Sequence, residues 1–166
     1  MKFFTQIKTL ALVAGMMFAN MELFAVDVTT TEGGQLSSKI DPSEKLTTTE
    51  LSVTGPLNGA DILYIREMAG AGYESSSTTD GKLVSLNLKN ASIVDGGEYY
   101  KNQMSIANTI GKYMFNKCKN LTTLVLPDGI TEIASSAMAT DGRSVTELNI
   151  PASVTTIGTS AFSGLK

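Results

Sequence analysis

Apolar residues recur along this chain in a pattern that repeats near its C-terminus. Residues 121–138 read LTTLVLPDGITEIASSAM, and residues 145–162 read VTELNIPASVTTIGTSAF. The two align without a gap at an offset of 24. Leu121 falls on Val145, Leu124 on Leu148, Leu126 on Ile150 and Pro127 on Pro151. Ile130 then falls on Val154, Ile133 on Ile157, Ala137 on Ala161 and Met138 on Phe162. Positions between them vary freely. Self-similarity at a fixed period of this length marks stacked repeat units. One such unit buries too little apolar surface to offset the entropy of ordering its backbone, so stability requires several stacked together.

The pattern extends upstream. Leu83, Leu86 and Leu88 share the L-x-x-L-x-L spacing of Leu121, Leu124 and Leu126, and Ala91 and Ile93 continue the series. Residues 94–108, VDGGEYYKNQMSIAN, interrupt it as an insertion. Ile110, Met114 and Phe115 then rejoin it, matching Ile133, Ala137 and Met138 at an offset of 23. Before this, Leu51 and Val53 alternate with polar residues over 47–54, which predicts a strand that Gly55-Pro56 should break. Ile62, Ile65, Met68 and Ala69, at spacings of three and four, predict a short amphipathic helix capped by Asn58 or Asp61. Residues 74–81, ESSSTTDG, read as a loop. Units thus begin near Thr48, Leu83, Leu121 and Val145. Residues 26–45, VDVTTTEGGQLSSKIDPSEK, have little apolar periodicity and read as a flexible leader with at most one short strand.

The N-terminus differs in kind. Lys2 and Lys8 precede an 11-residue apolar run, Thr9 to Ala19, which is short of the ~20 residues a membrane span needs. That combination predicts a secretory signal peptide, cleaved after Ala25 or, alternatively, after Ala19. Leu23, three residues before the first of these, is larger than is usual at that position. The expected organisation is a signal peptide at 1–25, the leader at 26–45, an N-terminal strand–helix capping unit at 46–82, and repeats over 83–166. Lys166 lies two residues short of the next expected strand leucine, so a truncated C-terminal end is expected.

Composition narrows the chemistry. The 166 residues suit one domain. The formal charge is −3 for the whole chain, and 11 basic against 15 acidic residues remain after the first 25, which argues against a nucleic-acid partner. His is absent, which removes Ser-His-Asp and Cys-His catalysis and imidazole-based zinc sites. The one cysteine, Cys118, can form no internal disulfide and reads as a core residue. Asp128, Glu132 and Glu147 fall on different turns of expected surface and not as a facing carboxylate pair. Gly33-Gly34 and Gly96-Gly97 lack the Lys-Ser/Thr of a phosphate loop. No catalytic residue, cofactor or metal site is expected.

After the L-x-x-L-x-L strand comes Pro, then I-T-E-I or V-T-T-I-G, then S-x-A-F. The Asn common three residues after the last strand leucine is replaced by Ala91, Gly129 and Ser153. This resembles the BspA-like, or Treponema-type, leucine-rich repeat. The run from Thr109 to Leu121, TIGKYMFNKCKNL, is similar to that family's T-I-G-x-x-A-F-x-x-C-x-x-L join, and LSVTGPLNGADILYIREMAG resembles the start of secreted Bacteroides-type members. Two departures stand out. Leu165 stands where the family has Cys, and residues 139–144 carry one extra residue relative to 116–120. The resemblance implies an α+β repeat solenoid of 23–24-residue units, with short parallel strands and helical turns. It also implies a secreted or cell-surface, non-catalytic protein that binds a protein ligand in adhesion, with host extracellular-matrix and bacterial surface proteins as the classes of partner. The alternative is a structural N-terminal module of a longer surface protein whose binding repeats lie beyond residue 166.

Two surfaces are candidates for protein binding. Insertions in a repeat map to loops on one face, which singles out Tyr99, Tyr100 and Lys101 as exposed contacts. Side chains alternate across a strand, so with Leu124 and Leu126 inward, Thr123 and Val125 face out. Their equivalents are Glu147 and Asn149, Ser85 and Asn87, and Glu50 and Ser52, a polar, weakly acidic ladder without an aromatic anchor.

Overall fold

The computed structural model describes residues 24–74, 77–139 and 145–165. The apolar run of the expected signal peptide, two residues of the 74–81 loop and most of the 139–144 loop lie outside these residues.

Parallel strands dominate. β1 is Ala25–Thr29, β2 Glu50–Leu57, β3 Ser85–Asn87, β4 Ala91–Ile93, β5 Gly96–Tyr100 and β6 Gln103–Ser105. β7 is Thr109–Ile110, β8 Thr123–Val125, β9 Glu132–Ile133, β10 Glu147–Asn149 and β11 Thr156–Ile157. The helices are α1, Leu36–Lys39, and α2, Gly59–Met68. The main sheet runs β1-β2-β3-β8-β10, with β4 pairing the second half of β2; a second sheet runs β7-β9-β11. Both are parallel throughout.

Register follows the apolar pattern. Val26, Leu51, Leu86, Leu124 and Leu148 are paired in succession across the main sheet, and Ile110, Ile133 and Ile157 across the second. Leu51, Leu86, Leu124, Ile110 and Ile133 are buried, and Leu83, Leu88, Leu121, Leu126, Met114, Phe115, Ala137, Met138 and Cys118 are buried with them in one core. Burial thins at the last unit. Ile150 and Ile157 are 40% and 52% exposed, against 1% and 0% for their equivalents Leu126 and Ile133.

Three expectations are corrected. First, the segment expected as a leader contains β1 and α1, and it buries Val28, Leu36 and Ile40. Its apolar residues are spaced too sparsely to show a period, yet they are enough to dock on β2 and α2. Second, Gly55-Pro56 does not end β2. Gly55 takes φ +102, and a Cβ there would collide with the Thr30 carbonyl, so only Gly permits the approach. Past this bend Gly55, Pro56 and Leu57 pair with Ala91, Ser92 and Ile93. Third, the insertion is not a plain loop. β5 and β6 form an antiparallel hairpin, and β3 still pairs β8 in register, Ser85 with Thr123, so the hairpin is looped out of an unbroken sheet.

α2 forms as its sequence predicts. Asn58 caps it, its Oδ1 accepting from Ala60 N at 3.0 Å, and Asp61 accepts back from Asn58 N at 2.9 Å. Ile62, Ile65 and Met68 are buried, and so are Asp61 and Arg66, which the apolar spacing does not flag. Asp61 also accepts from Gly34 N and from Leu36 N, tying α1 to the start of α2.

Candidate binding surfaces

The main sheet presents two outward rows. Pairing places Ala25, Glu50, Ser85, Thr123 and Glu147 in one row, and Asp27, Ser52, Asn87, Val125 and Asn149 in the next. Asn87, Glu147 and Asn149 are exposed, whereas Glu50, Ser52, Ser85, Thr123 and Val125 are half-buried. Neighbouring positions in a row lie about 4.8 Å apart, so each row is a regular ladder of mostly polar groups. Thr123 Oγ1 donates to Glu147 Oε2 at 3.4 Å, and Asn87 Oδ1 accepts from Lys89 N at 3.0 Å. β1 lengthens both rows with Ala25 and Asp27, which sequence reasoning missed because Ala25 falls at the end of the expected signal peptide and Asp27 in the supposed leader.

The hairpin separates its three proposed contacts. Tyr99 and Tyr100 are consecutive on β5, so they point to opposite faces. Tyr99 is 54% exposed, and Tyr100 is fully buried, which corrects its assignment as an exposed contact. Burial pushes the Tyr100 hydroxyl up to about 12, opposed by the positive charge of Arg66. Lys101 and Asn102 form the two-residue turn, at φ 50 and 60, the left-handed geometry of a tight hairpin. Lys101 is half-buried; its Nζ lies 4.4 Å from the Tyr113 ring centroid and donates to Asn116 Oδ1. Desolvation pulls its ammonium below the ordinary value, and the charges of Arg66 and Lys117 add to the effect.

Beneath the hairpin lies a buried cation. Arg66 Nη1 donates to the carbonyls of Tyr113, Met114 and Asn116 at 2.8, 3.2 and 3.0 Å, and Nη2 to Gly72 at 3.1 Å. It fastens α2 to the turn after β7. Cys118 is buried close by, and burial raises its thiol to about 11, so it is protonated and inert at neutral pH. Among the described residues no three Asp, Glu or Cys side chains converge as metal ligands would, and no helix is long and apolar enough to cross a membrane.

The C-terminal part of these parallel strands, with its leucine ladder, matches a known family in sequence. Residues 100–166 fit the family described as BspA type leucine rich repeat region (6 copies). They are a BspA-type leucine-rich repeat region. Leucine-rich repeats are protein-interaction modules, and the BspA-type segment here supplies β8 and β10 of the ladder together with the whole second sheet. No curated protein matches the chain.

Proposed function

We propose that this is a secreted or surface-displayed, non-catalytic repeat protein that binds other proteins through the outward face of its main sheet, in adhesion. One observation carries the reading: two rows of mostly polar side chains run in register across five strands, and the hairpin is excluded from them. A regular, weakly acidic ladder suits a protein surface better than a small molecule. The 24-residue separation of Thr123 from Glu147 supports stacking as a solenoid of units of that length.

Export through the apolar N-terminal run is part of the same proposal. Phe24 N donates to Thr49 Oγ1, Phe24 O accepts from Thr49 N and Glu50 N, and Ala25 pairs with Glu50. These contacts favour cleavage after Ala19 over cleavage after Ala25, which would remove them. N-terminal sequencing of exported protein should read Asn20; an unprocessed Met1 start contradicts export.

The binding test uses the chain as bait against purified matrix proteins and bacterial surface proteins, beside an Asn87→Tyr/Asn149→Tyr variant that crowds one row without changing charge. Wild type should capture a defined protein, and the equally folded variant should lose it by at least about tenfold. Equal capture by both rejects the sheet face. A second reading, a module within a longer repeat array, is favoured by the exposed Ile150 and Ile157 on the outer edge. Appending further repeats should then bury both residues and raise the thermal midpoint.

A further inference from the structure

From Tyr99 to Pro127 the chain has no Asp or Glu, yet it holds Lys101, Lys112, Lys117 and Lys119. The fold gathers part of this charge at the corner where the hairpin tip meets the turn after β7. Lys101 Nζ and Lys112 Nζ lie 4.4 and 5.0 Å from the centroid of the Tyr113 ring. Lys101 Nζ donates to Asn116 Oδ1, and among the described residues the charged groups that act on it, Arg66, Lys117 and the Cys118 thiol, include no carboxylate.

The backbone at this corner gives an independent observation. Lys101, Asn102, Tyr113 and Lys117 have φ of 50, 60, 62 and 60. Tyr113 corresponds to Ser136 and Ser160, at φ 55 and 57, and Lys117 to Gly164, at φ 82. The left-handed turn thus belongs to the repeat, and at Ser136, Ser160 and Gly164 it is filled by Ser or Gly. At this corner it carries a ring and long cations. Bulky residues in that region are strained, and strain retained at one surface site points to a use for the side chains.

Apolar surface adjoins the charge. Tyr99 and Met104 flank the Tyr100–Gln103 pair on the two strands of the hairpin, with exposures of 54% and 43%. Glu98, exposed on β5 beside Tyr99, bounds the basic area on that side.

We propose that Lys101, Lys112 and Tyr113, with Tyr99 and Met104 beside them, dock a short acidic polypeptide segment that carries an apolar side chain. The proposal rests on the protein-binding reading above and adds the partner's chemistry at a second surface. Carboxylates draw charge-assisted hydrogen bonds from the two ammonium groups, while the apolar side chain packs on the tyrosine ring and the adaptable thioether. A long polyanion such as a sulfated glycan or a nucleic acid needs an extended basic track, which Glu98 interrupts, and has no use for Tyr99 and Met104.

The test is fluorescence anisotropy of the full chain with a labelled octapeptide alternating Glu and Leu, against the same peptide with Gln for Glu, a heparin octasaccharide and a single-stranded oligonucleotide. The Glu peptide should bind best and weaken with salt. Lys112→Gln, at an exposed position, should weaken it several-fold. Lys101→Asn/Tyr113→Ser, which installs residues these backbone conformations prefer, should lose at least about tenfold while its thermal midpoint stays level or rises. No binding by wild type, undiminished binding by the double variant, a lowered midpoint in it, or stronger binding of heparin or oligonucleotide would each overturn the proposal. The Asn87→Tyr/Asn149→Tyr variant should bind the peptide as wild type does, so failure of the sheet-face reading is read separately; loss of binding there also overturns the assignment to this corner.

Discussion

Arg66 sits in the core, and its guanidinium is solvated by the four backbone carbonyls of Tyr113, Met114, Asn116 and Gly72. Hydrogen bonds to a charged group contribute roughly 1.5–3 kcal/mol each, and orphaned carbonyls are costly. Arg66→Met should therefore destabilise by at least about 3 kcal/mol in urea melts, although Met fills much of the volume. An effect below about 1 kcal/mol would show that the carbonyls find other partners. Tyr100 and Cys118 give the fold an alkaline limit. Their ordinary values of 10.0 and 9.0 rise to about 12 and about 11 on folding, so the folded state favours the protonated forms. That contribution is complete below the unfolded values and is lost as pH rises toward the folded ones. Each group costs about 1.4 kcal/mol per pH unit in its window. Stability should fall between pH 9 and 12, and Tyr100→Phe should remove the upper part of that loss. Because the Tyr100 hydroxyl has no hydrogen-bond partner among the described residues, Tyr100→Phe should also leave the neutral-pH midpoint unchanged or higher. A lower midpoint would mean that the hydroxyl is satisfied.

At the scale of elements, the inward ladder decides which leucines matter. Leu124 is fully buried between β3 and β10, whereas Leu148 on the edge strand is only partly covered. Leu124→Ala should cost about 2–5 kcal/mol and Leu148→Ala less, while the outward Asn149→Ala should lie within about 0.5 kcal/mol of wild type. Equal urea midpoints for the Leu124 and Asn149 variants would mean that the strand register is wrong. This ladder was legible from sequence because both strands and turns repeat, so each inward residue is seen more than once. β1 and α1 were not legible. Leu36 and Ile40 are isolated apolar residues in a Thr/Ser/Gly-rich stretch, and their burial depends on partners distant in sequence, through Asp61 and Thr30. The hairpin was half legible. Its place as an insertion followed from the break in period, but Tyr99 and Tyr100 look identical as letters, and only strand alternation assigns one to the core.

For the whole molecule, continuity of the main sheet decides whether a single binding face exists. The outward rows form one face only if β3 and β8 remain neighbours despite the sequence separation of 38 from Val84 to Thr122, with the hairpin pushed aside. Partner positions on adjacent parallel strands stand about 4.8 Å apart, within reach of a disulfide, whereas positions displaced by two residues stand roughly 8 Å apart and are not. Asn87→Cys/Val125→Cys, made in a Cys118→Ala background, should crosslink rapidly under mild oxidation, and Asn87→Cys/Thr123→Cys should remain reduced. Rapid closure of the displaced pair, or reduced thiols in both, would contradict an unbroken ladder and with it the continuous face proposed to bind protein.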